Sequence, residues 1–187
     1  MTGYCKAAIF HTNVKYIRRR RGNEGIILLN KILKEMGVDL NAEKIEAMKP
    51  SENIPLELRV KFLEACLKLF DNDTAKLRAM GREAPKDSLI VRLFLGYFMS
   101  PNGVIKHAPA LWKEHYSEGE LFIVQNDPNV GRLGLRNFKY SKLMCIYLCG
   151  YFEGVGDVTR AKNISCRETK CVHEGADYCE FEIKWTS

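Results

Sequence analysis

The order of apolar and polar positions reads differently in the two parts of the chain. Residues 1–21, with "KAAIFHTNVKYI" at their centre, fit a strand or an irregular segment equally well. From Asn23 onward the apolar residues fall into helical step: Ile26, Leu29, Leu33 and Met36 recur three or four apart, and Gly37 is placed to stop the helix. A short helix is expected after Asn41. Beyond "PSENIP", Pro55 suits a first helical turn, and Leu56, Val60, Leu63 and Leu67 mark one apolar face. Asp73 and Asp87 each stand where a helix N-cap belongs. The helix expected after Asp87, "SLIVRLFLGYFM", is apolar nearly all round and should be buried. Pro101 and Gly103 open "VIKHAPALWKEHY", a further helix bent or interrupted at Pro109.

Near Ser117 the period changes. "ELFIVQ" and "RLGLRNF" read as strands, and the turn-rich "NDPNVG" between them makes a hairpin. Ser141 can cap a helix through "KLMCIYLCGYFEG", with Gly154 and Gly156 ending it. "VTRAKNISCRE" and "YCEFEIKW" supply the last strands. The expectation is one α+β domain over 1–187, with a helical part (about 1–116) packed on an antiparallel sheet within about 117–187.

Composition narrows the class. At 46% hydrophobic and 28% charged residues the chain has the make-up of an ordered globular protein. No apolar run approaches the roughly eighteen residues of a membrane span, and the start lacks the pattern of a secretory signal, so a cytoplasmic protein is expected. The net charge of +6 is partly gathered at Arg18 to Arg21. That run reads as a solvated basic segment leading into the first helix. Contact with nucleic acid is the lesser reading, because no interleaved aromatics or groove-reading motif accompany it.

The seven cysteines are spread unevenly: Cys5 and Cys66, then Cys145, Cys149, Cys166, Cys171 and Cys179. In a reducing compartment, clustered thiols are metal ligands or reactive groups more often than disulfides. Cys171 and Cys179 flank a segment containing Gly175, which suits a turn that returns both sulfurs to one place. Along "KNISCRE", Ile164, Cys166 and Glu168 share one strand face, the apolar one, so Glu168 should point inward. A buried carboxylate needs a partner, and neighbouring thiolates make a cation the better one. Cys145 and Cys149 lie one helical turn apart and offer a further ligand; spacing alone does not choose between them, nor exclude Cys166 in place of Glu168. Buried structural cysteines are the competing explanation.

The stretch "CIYLCGYFEGVGDVTRAKNISCRETKCVHEGADYC" resembles the 4-vinyl-reductase domain. That domain occurs in bacteriochlorophyll-synthesis accessory proteins and in the sensory regions of regulators that bind phenols and other aromatics. The shared phrase is Cys145, Gly150-Tyr151, Glu168, Cys171, a glycine-containing loop and Cys179. The resemblance implies Cys145, Glu168, Cys171 and Cys179 as zinc ligands. It further implies the α+β ligand-binding fold shared with heme-nitric-oxide domains and Golgi tethering subunits, an apolar cavity between helices and sheet, and a homodimer. Cys149 and Cys166 depart from the phrase by adding thiols beside the implied ligands.

The function expected is zinc-stabilised binding or sensing of an apolar or aromatic molecule, with any signal passed to a separate partner. Phe94, Phe98, His107, Trp112, His115 and Tyr116 are candidates for the pocket, although aromatics at helical spacing are more often core. Reduction of a tetrapyrrole vinyl group is a weaker alternative: no dinucleotide or flavin fingerprint is present, and no acid–base pair stands out. Heme-based gas sensing would use His107 or His115, but the Tyr-x-Ser-x-Arg phrase of heme-nitric-oxide domains is absent. A structural tethering module, with a filled core and no cavity, is the remaining alternative.

Overall fold

A computed structural model describes residues 3–88, 100–159 and 161–186; element labels below number what it describes, in chain order. The first strand, β1 (Tyr4–Lys6), pairs antiparallel with β2 (Asn53–Pro55), Cys5 opposite Ile54. Helix α1 (Ala8–Glu35) starts directly after β1. The opening segment is therefore neither strand nor irregular but helical, with Phe10, Val14 and Ile17 on its buried face. Gly22 (φ 61°, ψ −159°) breaks α1, and the periodic pattern beginning at Asn23 is the helix's second half. Gly37, at φ 68°, follows its end in the left-handed conformation that glycine adopts without steric cost.

Helix α2 (Ala42–Ala47) is capped by Asn41, whose Oδ1 accepts from the Lys44 N–H at 2.7 Å. Helix α3 (Leu56–Leu69) buries Leu56 and Leu63 as expected, but Val60 and Leu67 only in part. Arg59 and Phe62 complete the inward face instead. Asp73 caps α4 (Thr74–Asp87), accepting from the Ala75 N–H at 2.9 Å. Asp87 closes α4, and its carboxylate pairs with Arg19. The apolar helix expected after it falls on 89–99, outside the described residues. Ser100 caps α5 (Pro101–His115), which runs through Pro109 without interruption.

The sheet has the order β3–β4–β6–β5, antiparallel throughout. The expected hairpin is β3 (Glu120–Asp127) with β4 (Val130–Arg136), turned at Asn129 with φ 65°. Helix α6 (Lys142–Asp157), capped by Ser141, leads to β5 (Lys162–Lys170), a 3-10 turn (Val172–Glu174) and β6 (Cys179–Thr186).

Helix α6 does not stop at its glycines. A Cβ on Gly150 would lie 1.9 Å from the Arg78 carbonyl oxygen, one on Gly154 2.0 Å from that of Arg82, and one on Gly81 2.2 Å from that of Tyr147. Three absent side chains thus let α4 and α6 touch backbone to backbone. The core lies where α6 meets α1, α3 and α4 on one side and the inner face of the sheet, Leu133, Leu135, Phe181 and Ile183, on the other.

Strand β6 is covered on both faces. Its outward Glu180 and Glu182 are buried under longer side chains, with Arg132, Arg167 and Lys184 on Glu182 and Lys170 on Glu180.

Candidate metal centre and cavity

Four chain segments converge at the end of the sheet nearest the start of α6. Cys145 comes from the first turn of α6, Glu168 from β5, Cys171 from the residue before the 3-10 turn, and Cys179 from the start of β6. The turn between the last two is made by Gly175 at φ 93°, a conformation that favours glycine. One ligand atom from each of the four residues can be chosen so that all lie within 4.8 Å of one another.

The spacing and chemistry of these donors fit a tetrahedral ion. Zinc–sulfur bonds of about 2.3 Å place two thiolates about 3.8 Å apart, and the Cys145 and Cys179 sulfurs are 3.6 Å apart. A disulfide would need about 2.05 Å, and all seven cysteines are free. Glu168 Oε1 is buried with no hydrogen-bond partner, while Oε2 meets the Lys142 ammonium at 3.1 Å. One half of the carboxylate is thus left unsatisfied beside the thiols.

Hydrogen bonding from Cys145, with the Val172 N–H behind it, brings the Cys179 thiol down to about 7 against the opposing effect of burial. The same pairing pushes Cys145 up, so the two sulfurs share one proton. A divalent cation displaces such a proton and takes both as thiolates.

The additional thiols stay outside the group of four. Cys166 is buried on β5, and its backbone is held by Glu153, whose Oε1 accepts from the Cys166 N–H at 3.0 Å. Glu153, on α6, is itself gripped by Arg78 at 2.7 Å. Cys149, one turn before Glu153, is buried on α6.

A cavity of about 130 Å³ lies between α1, α4, α5, α6 and the inner face of the sheet. Its walls are mainly apolar: Ile9, Val104, Ile105, Leu121, Leu133, Leu148, Phe152 and Ile183 among others. Trp112, His115 and Tyr116 all line it. Trp112 stacks on Tyr116 with centroids 4.1 Å apart and donates from Nε1 to the Glu118 carbonyl at 3.1 Å. His115 donates from Nδ1 to the Leu111 carbonyl at 3.0 Å, which leaves Nε2 as the acceptor nitrogen. His107 is exposed and does not line the cavity. Phe94 and Phe98 fall outside the described residues.

The basic run is absorbed by the fold. Arg18 pairs with Glu46, Arg19 with Glu83 and Asp87, Arg21 with Asp71, and Arg20 lies over the Tyr16 ring. Among the described residues no helix is long and apolar enough to cross a membrane.

Two polar residues that the sequence pattern did not single out sit deepest. Glu153 is one, and Arg59, wholly buried on α3, is the other. A signal for Arg59 was available: it stands three positions after Leu56 and four before Leu63, on the apolar face of its own helix.

Fold and site together define an α+β domain with an apolar cavity and a cluster of three thiols and one carboxylate. Residues 136–185 match the family model of the vinyl-4-reductase domain, the same domain that the cysteine phrase resembles. Comparison with curated protein sequences finds no match. Among solved structures, an H-NOX protein from S. oneidensis in its Fe(II)NO ligation state superposes with a TM-score of 0.71 at 14% identity, over 97% of this chain and 99% of that one. An oxygen-binding H-NOX domain related to soluble guanylate cyclases, as its oxygen complex, gives 0.68 at 15% identity over 97% and 95%. At such identities the likeness is one of fold. The expected kinship with the heme-nitric-oxide fold holds along nearly the whole chain.

Proposed function

We propose that this chain is a zinc-stabilised domain that binds a small apolar or aromatic molecule and passes its occupancy to a separate partner. The observation that carries the reading is the enclosed apolar cavity, which sits on the same helix as the four-residue cluster. Its volume is close to that of a roughly 150 Å³ engineered cavity that takes up benzene. A single ring or a short aliphatic chain is the class of ligand it suits.

Cys145, Glu168, Cys171 and Cys179 would hold the zinc, which supplies a structural crosslink when bound. The four ligands leave no coordination position open for chemistry. Thiolate-rich donors select zinc over magnesium or calcium. The resemblance to sensory domains of the vinyl-reductase family adds a homodimer as the working form.

Metal analysis with native mass spectrometry tests the site. About one zinc per chain is expected, lost in Cys171→Ser and kept in Cys149→Ser. Zinc retained in Cys145→Ser would remove that residue from the ligand set. A co-purifying small molecule supports the binding reading, and a chain that takes up no apolar probe would sink it.

Heme-based gas sensing is the second reading, favoured by the H-NOX neighbours and by His115 on the cavity wall. Against it stands the cavity, smaller than the roughly 300–1,000 Å³ typical of ligand and cofactor sites. Absorbance after incubation with heme decides: a Soret band that shifts in His115→Ala would favour this reading.

A further inference from the structure

Arg59 is fully buried, and a guanidinium keeps its charge in any protein environment. Buried charges in folded proteins are ordinarily matched by an opposite charge. Arg59 has none among the described residues. The groups whose charge it feels are Tyr147, Tyr116, Cys5 and Cys66, two phenols and two thiols with no carboxylate among them. Burial pushes the Cys5 thiol up to about 11 and the Cys66 thiol up to about 12, so neither supplies an anion near neutral pH. One side-chain hydrogen bond is made, from Nη1 to Asn13 Oδ1 at 2.6 Å. The guanidinium also lies over the Tyr147 ring at 4.6 Å and the Phe10 ring at 5.3 Å. Nε and Nη2 are buried with no partner.

This cation adjoins the cavity. Tyr147, on which it stacks, and Tyr116 both line that space, as does Thr12, next to Asn13 in the chain. Asn13 Nδ2 donates to the Tyr147 hydroxyl at 2.9 Å, so that hydroxyl keeps its own proton to give. Tyr116 feels the Arg59 charge as well, and burial keeps its hydroxyl protonated. The cavity is thus apolar along its walls, with a buried positive charge and two phenols at one place in them.

We infer that the ligand of this cavity is an acid: an apolar body carrying one anionic head group, such as a carboxylate, whose charge is met by Arg59 and the neighbouring Tyr116 and Tyr147. The inference rests on the cavity reading above and narrows its ligand class. It gives the guanidinium a counter-charge that the described residues do not offer, and it assigns the free Nε and Nη2 to the paired oxygens of a carboxylate, the geometry a guanidinium favours.

Benzoate and its neutral analogue benzyl alcohol are suitable probes, titrated calorimetrically into the zinc-loaded full chain. Benzoate is expected to bind about tenfold or more tighter than benzyl alcohol, the fold-change a charge-assisted hydrogen bond brings. In Arg59→Met the preference should vanish while the alcohol still binds. The same variant, free of ligand, should melt no lower than the wild type, because it removes an uncompensated buried charge.

Equal binding of both probes to the wild type, or an acid preference that survives in Arg59→Met, would overturn the inference and leave the cavity reading standing. So would a clear fall in the melting temperature of the ligand-free variant, which makes Arg59 a structural strut. Binding of neither probe to the wild type would remove the cavity reading itself. The wild-type comparison needs no variant and decides even if Arg59→Met does not fold.

Discussion

Glu182 lies at the middle of β6, buried on the outer face of the sheet, and its carboxylate takes Arg132 at 2.6 Å, Arg167 at 2.9 Å and Lys184 at 3.0 Å. Arg132 first, then Lys184 and Arg167, hold its carboxyl down to about 2, from an ordinary 4.5. A carboxyl lowered on folding contributes stability that is complete above its unfolded value and fades as the pH falls toward the folded one. Glu182→Gln should therefore be less stable than the wild type near neutral pH, with the deficit shrinking between about pH 4.5 and 2. Melting temperatures of both proteins across that interval check it; a constant deficit would separate the carboxylate from the acid response.

Single residues also mark how far the sequence could be read. Strand alternation put Glu168 on the inner face with Cys166, and it is there, half-buried beside the thiols. Arg59 and Glu153 escaped because a charge inside an apolar helical face looks like an interruption of the pattern. Its meaning appears only when Arg78 is seen to reach Glu153 from another helix, while two nitrogens of Arg59 are left without a partner.

Helices with clear periodicity and a capping side chain, α2 and α4 above all, stand where the pattern placed them, with Asn41 and Asp73 at their starts. The first half of α1 was not legible as a helix. His11 and Asn13 interrupt its apolar positions, and Gly22 separates it from the regular stretch beyond. Gly154 and Gly156 misled in the opposite sense, since glycine is a stop signal when only one chain segment is in view. In the fold, Gly150 and Gly154 are the surface on which α4 lies. Gly150→Ala would drive a methyl group into the Arg78 carbonyl, and its cost should be about 1–3 kcal/mol or more, because backbone cannot swing aside as a side chain does. Urea denaturation measures it. Ala at Gly175, where nothing approaches within 4 Å, would be strained by its φ of 93° alone.

The domain's two parts were legible from the change of period near Ser117, but their union was not, because it depends on α6 serving both. Closing α6, β5 and the start of β6 around one ion would join segments that are distant in sequence. Structural zinc sites in small peptides bind with about 10–16 kcal/mol, as much as the roughly 5–15 kcal/mol that stabilises a whole domain. Stripping the metal with a strong chelator should accordingly lower the melting temperature sharply and loosen residues 142–186 before the β1–β2 pair and α3. Hydrogen exchange followed by mass spectrometry shows the order. Uniform loosening along the chain would mean that the ion is not the fastening of that half.

Helix α6 carries Cys145 in its first turn and presents Tyr147, Leu148, Tyr151, Phe152 and Val155 to the cavity. One rigid rod thus has a thiolate anchor at one end and the cavity wall along its length. Any guest that favours one setting of that rod must alter the grip on the ion, and the ion must alter the grip on the guest by the same factor. Zinc competition between the chain and a coloured chelator, run with and without a cavity occupant, would read that factor directly, so the metal doubles as a gauge of whether the cavity is filled.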